Sequence, residues 1–280
     1  MFFTAMITPV ILLALYITFL GDVYRDSFVA ALPDGISISN QLLNGLVGGQ
    51  LTSSMLAVSS VTVAFCANFL MVQDKANGAA KDLWITPVKA SQLALGYYFA
   101  TLFSTLLICY IAAAGCFIYL GVIGWYLSVA DLLLILLDVF LLVLFGTALS
   151  SVINHFLTSQ GQISAIGSIV SSSYGFVSGA YMPISSFGKP LQILISFLPG
   201  TYGTSLLRSH AMQGTLKQLS LAGVPADGLK GLADALDCNL YFFGYQVATP
   251  VMYAVLILSV CALMGVYVLL SRSEGRARSN

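Results

Sequence analysis

Four charged residues between two apolar runs are the most clustered polar feature in the first half of the sequence. Asp74 and Lys81 are seven residues apart, and so are Lys75 and Asp82. On a helix, this spacing places all four charges on one side. Mixed charges on one helix face are suited to contact with another protein surface, and they form no nucleophile–base pair.

The segment that carries these charges, Val72–Gln92, predicts a short amphipathic helix that lies against a membrane. Pro87 ends this helix and biases Thr86 towards an extended conformation. An ordinary charged loop is the alternative. The residues expected mostly on the side opposite the charges are Ala76, Ala79, Ala80, Leu83 and Trp84.

Two acidic residues lie within a later apolar run, Val129–Val152. Asp131 and Asp138 are seven residues apart and therefore share a helix face. Asp131 is close enough to the end of the run to reach water. Asp138 lies deeper, where an ionised carboxylate costs about 2.5–3.5 kcal/mol. Asp138 either contacts the cargo or carries a coupling proton, which would be a functional role, or it is a structural acid hydrogen-bonded inside the helix bundle. The structural role is favoured because no basic residue lies within any span.

Small residues form a stripe along the next apolar run, at alternating spacings of three and four. Small side chains allow membrane helices to approach closely, and their hydroxyls can bond across an interface. The stripe therefore predicts packing within one subunit, the wall of a translocation path, or a seam between subunits. Its members are Gly161, Ser164, Ser168, Ser171, Gly175 and Ser178.

Several functions lack the residues they need. The sequence contains no G-x-x-x-x-G-K-[ST] or G-x-G-x-x-G motif, so it has no standard device for binding ATP or a dinucleotide. None of its five cysteines forms a CxxC pair, and the two histidines are far apart, so no metal site is indicated. The net charge of +0 argues against a nucleic-acid partner.

The elements that position these residues are predicted to be membrane spans. The chain is 58% hydrophobic and only 8% charged, whereas soluble domains average about 25% charged residues. We therefore predict one all-α transmembrane domain over residues 1–280 with six helices, since a span needs about 20 apolar residues. The predicted spans are 2–20, 46–71, 93–122, 129–152, 163–182 and 251–270.

The distribution of Lys and Arg predicts the orientation. Basic residues are dense in the 72–92 loop and after the sixth span, whereas those on the opposite side are spread over longer segments and offset by acids. By the positive-inside rule the dense side is cytoplasmic, so both termini are expected there.

Three prolines divide the segment 183–208 into two short apolar pieces, Leu191–Leu198 and Tyr202–Leu207. Neither piece is long enough to span a membrane. We therefore predict a pair of short helices that dip into the outer leaflet, followed by an external segment at 209–249. An interfacial loop without a gating role is the alternative.

Two of these segments resemble the permeases of type-2 ABC exporters. In that family an acidic residue, a glycine and a helix ending at Thr/Ser-Pro precede the third span, and a proline-broken helix pair follows the fifth. The residues that carry the first resemblance are Asp74, Gly78, Asp82, Leu83, Thr86 and Pro87, followed by Gly96 and Tyr97. Those that carry the second are Gly179, Pro183, Pro190, Leu194, Pro199 and Tyr202.

The resemblance implies roles for these segments. The 72–92 loop would be the coupling helix that touches a separate ATPase subunit, and the 183–208 pair would close the outer mouth of the path. The second and fifth spans of two permease copies, or of this chain and a close paralogue, would face each other around that path. ATP and Mg would be bound by the ATPase, and this chain would need no cofactor of its own.

The resemblance also implies a multi-pass protein of a bacterial plasma membrane, surrounded by lipid. It would export a drug, peptide, lipid or glycan. An ion-coupled secondary transporter, for which Asp138 is the main argument, remains the alternative. A membrane-embedded enzyme is the weakest reading, because the spans contain no nucleophile–base pair or metal set.

Overall fold

The described part of the chain is mostly helical. The computed structural model describes residues 10–11, 14–15, 18, 21–31, 38–79 and 88–279. Long apolar runs favour helices in a bilayer, because a helix satisfies its backbone N–H and C=O groups within one segment. The helices are α1 Gly21–Ala31, α2 Asn40–Ala67, α3 Phe69–Asn77, α4 Ala90–Ile123, α5 Val129–His155, α6 Gln160–Val177, α7 Lys189–Ser196, α8 Pro199–Leu221, α9 Ala226–Ala235 and α10 Thr249–Ser279. A short 3₁₀ helix at Ile184–Ser186 precedes α7, and a hairpin of β1 Tyr241–Phe242 and β2 Tyr245–Gln246 precedes α10.

Four helical stretches in the described part of the chain are long and apolar enough to cross a membrane. Helices α2 and α3 together form the first, Asn40–Asn77, and the others are Ala90–Ile123, Val129–His155 and Thr249–Ser273. They coincide with the second, third, fourth and sixth predicted spans and extend them at the ends.

The count of six spans stays a prediction. The first predicted span, 2–20, falls largely outside the described residues. The fifth, 163–182, corresponds to α6, which is only 18 residues long and ends at Val177. Two glutamines and the serine stripe lower the mean hydropathy of α6, and it is not among the four stretches.

Helix α2 lies at the centre of the bundle, where it packs against α1, α4, α5, α6 and α8. Nearly every residue from Leu43 to Phe65 is buried. A Cβ atom at Gly49 would lie 2.9 Å from the carbonyl oxygen of Ala211 in α8, and one at Gly146 would lie 2.8 Å from that of Ser60 in α2. Glycine at these positions lets neighbouring helices approach closely.

Helix α8 is the main departure from the predicted architecture. The first predicted short piece corresponds to α7, but the second does not stop at Leu207: α8 continues to Leu221. Residues such as Ala211, Met212 and Leu219 are buried, so the first third of the predicted external segment 209–249 belongs to the bundle. The predicted end was wrong because Arg208 and His210 read as exposed polar residues, whereas both have buried partners.

Candidate functional site

The described part of the 72–92 segment is fixed to two other helices. Asp74 and Lys75 lie in α3, which continues the second span. Tyr97 of α4 donates a hydrogen bond of 2.7 Å to Oδ2 of Asp74. Lys75 Nζ donates a hydrogen bond of 2.8 Å to the carbonyl oxygen of His155, the last residue of α5. A cation at a helix C-terminus is favourable, because the last carbonyl groups carry partial negative charge.

These contacts reverse the predicted orientation of this helix. The sequence placed Asp74 and Lys75 on the side facing a partner, with Ala76 and Ala79 facing the chain's own bundle. In the structure the charged pair contacts the bundle, while Ala76 and Ala79 are exposed. The reversal arises because a phenol hydroxyl and a helix C-terminal carbonyl offer hydrogen bonds that alanine cannot make.

Of the other residues in this predicted site, Gly78 lies within the described part of the chain. Gly78 ends α3 with φ +81°, a left-handed conformation that glycine adopts without strain. The other predicted contact residues lie outside the described residues. They are Lys81, Asp82, Leu83, Thr86 and Pro87.

A buried arginine joins α8 to three other parts of the chain. The Arg208 side chain is 1% exposed. One guanidinium nitrogen, Nη1, donates to the Leu236 carbonyl oxygen at 3.0 Å and lies 3.3 Å from Asp237 Oδ2. The other, Nη2, donates to the Gly179 carbonyl oxygen at 2.8 Å and to Ser54 Oγ in α2 at 3.3 Å. Arg208 therefore connects the central helix, the turn after α6 and the segment after α9.

Asp237 completes this cluster. Its Oδ2 accepts a hydrogen bond of 2.6 Å from the backbone N–H of Ile184, and its carbonyl oxygen accepts one of 2.8 Å from Ser205 Oγ. Burial raises the pKa of Asp237 above its ordinary value, while Arg208 and the backbone N–H groups oppose that rise. The predicted orientation places Arg208 and Asp237 among the charges that are spread over the external segments. A weak signal was available, because Arg208 is flanked by Leu206, Leu207, Ala211 and Met212.

A second buried polar cluster surrounds Asp138. His210 Nδ1 in α8 lies 2.6 Å from Asp138 Oδ2, and the Tyr253 hydroxyl of α10 donates a hydrogen bond of 2.7 Å to Oδ1. The acid therefore has a basic partner, which the sequence missed because His210 lies outside the predicted spans. The cluster ties α5, α8 and α10 together near the middle of α8.

Asp131, the other acid of that face, caps α5. Its Oδ2 accepts a hydrogen bond of 2.8 Å from the Ser128 backbone N–H, and Ser128 Oγ accepts one of 3.2 Å from the Asp131 N–H. This reciprocal capping box gives Asp131 a structural role at the helix start, and the side chain is buried rather than open to water.

The small-residue stripe joins the packed face of α6 only at the C-terminal end of the helix. The buried residues of α6 are Ile163, Gly167, Tyr174 and Gly175, and the helix packs against α2 and α3. Ser164 and Ser168 are exposed, Ser171 is half-buried, and Gly175 and Ser178 are buried. Ser164 and Ser168 donate back to the carbonyl oxygens four residues earlier. The stripe thus runs from an open surface at the start of α6 to a buried end.

The predicted gate residues lie around the turns that flank α7. Pro190 is in the first turn of α7 and Pro199 begins α8, positions where proline is tolerated because no N–H is required. The Tyr202 hydroxyl donates a hydrogen bond of 2.7 Å to the Ser196 carbonyl oxygen, which closes the α7–α8 turn. Pro183 precedes the 3₁₀ helix, and Leu194 is 57% exposed.

Two predicted groups meet at a cavity of about 440 Å³. Ser178, the last residue of the stripe, and Pro199, from the predicted gate, both line it. Gly179, one residue after Ser178, has φ +73° and supplies the carbonyl oxygen that Arg208 binds. The structure therefore brings the end of the stripe, the start of α8 and the Arg208 cluster into one region.

The sequence matches the family described as ABC-2 family transporter protein over residues 32–271. The chain belongs to the ABC-2 transporter family. No curated protein matches it. The match covers three of the four apolar helical stretches completely, the fourth up to residue 271, and both segments that carried the resemblance. The chain is therefore an ABC-2 permease, a membrane-spanning subunit whose family implies an ABC ATPase as partner.

The ABC-2 permease has no nucleotide-binding motif in its sequence. Within the described residues, no group of three His, Cys, Asp or Glu side chains is placed to hold a metal ion. Its buried polar clusters join helices to one another. Such an arrangement is suited to transmitting movement between helices.

Proposed function

We propose that this ABC-2 permease exports cargo from the cytoplasm, driven by ATP hydrolysis on a separate ATPase subunit that binds ATP and Mg. It works as a dimer with a second copy or a close paralogue, in the plasma membrane of a bacterium. Both termini and the 72–92 loop lie on the cytoplasmic side. A drug, a peptide, a lipid and a glycan remain the candidate cargo classes.

The observation that carries this proposal is the attachment of α3. Helix α3 is continuous with α2, Asp74 is bonded to α4, and Lys75 is bonded to the end of α5. A force applied to the loop beyond Gly78 would therefore act on three spans together. Such a connection is what a subunit needs if an ATPase surface drives it through this loop.

The exposed side of α3 supplies the test. In a cysteine-free permease, Ala76→Cys and Ala79→Cys should form crosslinks to the ATPase with a short bifunctional thiol reagent. Ser220→Cys is the matched control, because it is exposed at the far end of α8 on the opposite side. Crosslinks from Ser220→Cys, or none from either alanine position in a complex that hydrolyses ATP, would count against this loop as the contact.

The serine stripe and the α7 region have proposed roles in the same cycle. Ser164, Ser168, Ser171, Gly175 and Ser178 form a subunit seam or one wall of the path. The segment from Gly179 to Tyr202 closes the outer mouth. Support comes from the exposed serine face of α6, which no helix of the described chain covers at Ser164 and Ser168. Helix α2 contributes less to a seam than the family resemblance implied, because its own chain surrounds it.

An ion-coupled secondary transporter is the second candidate, and the Asp138–His210 pair favours it. Buried ionisable residues that pair with one another inside a membrane protein mark ion pathways and proton relays. Asp138→Asn separates the two candidates, because it preserves shape and hydrogen bonding but cannot release a proton. We expect ATP-driven transport to persist. Loss of uphill transport with normal ATPase stimulation would instead support ion coupling.

A further inference from the structure

The cavity beside Ser178 is a cleft between α6 and α10. Helix α6 packs against α2 and α3, whereas α10 packs against α4, α5 and α8. Phe145 and Leu149 of α5 form the back wall, and the segment Leu198–Thr201 forms one end. The α10 side is formed by Ser259, Ala262 and Leu263.

The cleft lies at the depth of the hydrocarbon. Several of its lining residues belong to stretches that are long and apolar enough to cross a membrane: Leu263 is near the middle of Thr249–Ser273, and Phe145 and Leu149 lie within Val129–His155. On the two helices that form the cleft, Leu258 of α10 and Ile169 of α6 are 68% and 63% exposed. Large exposed apolar side chains in a membrane helix face lipid, so the cleft opens towards acyl chains rather than towards water.

Two of the four polar side chains in the lining, Thr201 and Ser259, form hydrogen bonds within the chain. The Ser259 hydroxyl donates to the Leu256 carbonyl oxygen at 2.7 Å, and the Thr201 hydroxyl donates to the Ile195 carbonyl oxygen at 3.0 Å. Ser178 and Tyr174 differ, because the Ser178 Oγ and the Tyr174 hydroxyl are buried and neither has a hydrogen-bond partner among the described residues. The rest of the lining is apolar, so most of the cleft offers water none of the two to four polar partners that it needs.

We propose that this cleft binds one acyl chain of a membrane phospholipid. The volume of about 440 Å³ is in the range of small-molecule sites, roughly 300–1,000 Å³. A helix from a second permease does not fit: with a diameter of about 10 Å, a helix occupying this volume would be only about one turn long. An extended acyl chain is narrower, matches the apolar walls and is present at high concentration in the surrounding bilayer.

Ser178 gives the lipid an orientation. It lies where α6 ends and next to the start of α8, whose Leu198 cap residue makes no side-chain cap bond. The ester carbonyl of a lipid accepts hydrogen bonds, and the hydroxyls of Ser178 and Tyr174 are the unsatisfied donors in this part of the wall. We place the ester near Ser178 and the chain along Phe145, Ala262 and Leu263.

Photolabelling in nanodiscs tests this site without any transport assay. The probe is a phosphatidylglycerol with a diazirine near the end of one acyl chain, at low fraction in plain lipid. We expect peptides with Phe145, Leu149 and Leu263 to be labelled more strongly than Phe103, a lipid-facing residue of α4 that is 72% exposed. Labelling of Phe145 and Leu149 no stronger than that of Phe103 in the unaltered permease would overturn the proposal.

Two substitutions on α10 provide a matched pair. Ala262→Phe fills the cleft, whereas Ala254→Phe adds the same side chain at an exposed position on another face of the helix. We expect Ala262→Phe to reduce labelling of Phe145 to the level of Phe103, and Ala254→Phe to leave it unchanged. Equal labelling in both variants would overturn the proposal, as would a disulfide between two Leu263→Cys permeases. If Ala262→Phe does not fold, the label distribution in the unaltered permease decides alone.

Discussion

Replacing Arg208 by Met should destabilise the permease far more than removing a surface arginine. The Arg208 side chain is 1% exposed and reaches two carbonyl oxygens, the Ser54 hydroxyl and Asp237. Met preserves much of the length and packing but leaves Asp237 buried without its cation. Breaking a buried ion pair in this way costs about 3–5 kcal/mol, because the remaining charge is uncompensated.

A double substitution separates the ion pair from the packing. Asp237 has φ +54°, a left-handed conformation that Asn also tolerates, so Asp237→Asn removes the charge without adding backbone strain. The combination of Arg208→Met with Asp237→Asn leaves no buried charge alone. We therefore expect the double variant to be more stable than Arg208→Met, with a coupling of about 1–3 kcal/mol.

Thermal unfolding in detergent, followed by a tryptophan or thiol probe, measures both effects. For a chain of this size, 1 kcal/mol shifts Tm by about 2–4 °C, so Arg208→Met should lower Tm by roughly 10 °C. Arg25→Met is the control: Arg25 donates to Asn40 Oδ1 at 2.8 Å near the surface, a contact expected to contribute under about 1 kcal/mol. Equal Tm values for the two single variants, or a double variant less stable than Arg208→Met, would refute the reasoning.

Three further predictions concern other parts of the permease. Burial raises the pKa of the Cys238 thiol to about 12, so at pH 8 only about one thiol in 10,000 is ionised. In a variant with no other cysteine, an impermeant maleimide should therefore label Cys238 very slowly, and faster as the pH rises. Ser220→Cys should be labelled from outside intact cells, and labelling of this variant only after permeabilisation would show that the orientation is inverted. Ser168→Leu should lower dimer yield without lowering the Tm of the single chain, because Ser168 is exposed; Ile169→Leu is the control, and equal dimer yields would remove the argument for a seam. Asp138→Leu should lower the free energy of unfolding by about 1–3 kcal/mol, because it leaves His210 and Tyr253 without their shared hydrogen-bonding partner. Asp138→Asn should lower it by less, and equal losses in Tm for the two variants would show that these hydrogen bonds do not stabilise the permease.

The sequence alone was sufficient for much of the architecture, because membrane insertion depends on local composition. A run of about 20 apolar residues forms a helix across a bilayer whatever its neighbours are. This is why four predicted spans coincide with helical stretches at Asn40–Asn77, Ala90–Ile123, Val129–His155 and Thr249–Ser273. Nucleotide-binding motifs are also short and local, so their absence can be read directly from the sequence. The resemblance at two short segments was enough to indicate the family that the match over 32–271 shows.

The tertiary structure decided which polar residues face water. Arg208 and Asp237 are 29 residues apart, and Asp138 and His210 are 72 apart, so no helical spacing links either pair. Considered without their partners, Arg208 and His210 are polar residues that end an apolar run, so the sequence predicted that both lie outside the helix bundle. Once partners lie within hydrogen-bonding distance, the cost of burial is largely offset, and α8 can continue through both residues to Leu221.

The orientation of α3 has the same physical explanation. Periodicity identified a helix with charges on one side and alanines on the other, but periodicity cannot tell which side faces the protein. The Tyr97 hydroxyl and the His155 carbonyl oxygen, which are brought to α3 by α4 and α5, attract Asp74 and Lys75 inwards. A hydropathy pattern assigns polar groups to water by default, and only the positions of the neighbouring helices reveal a buried hydrogen-bonding partner.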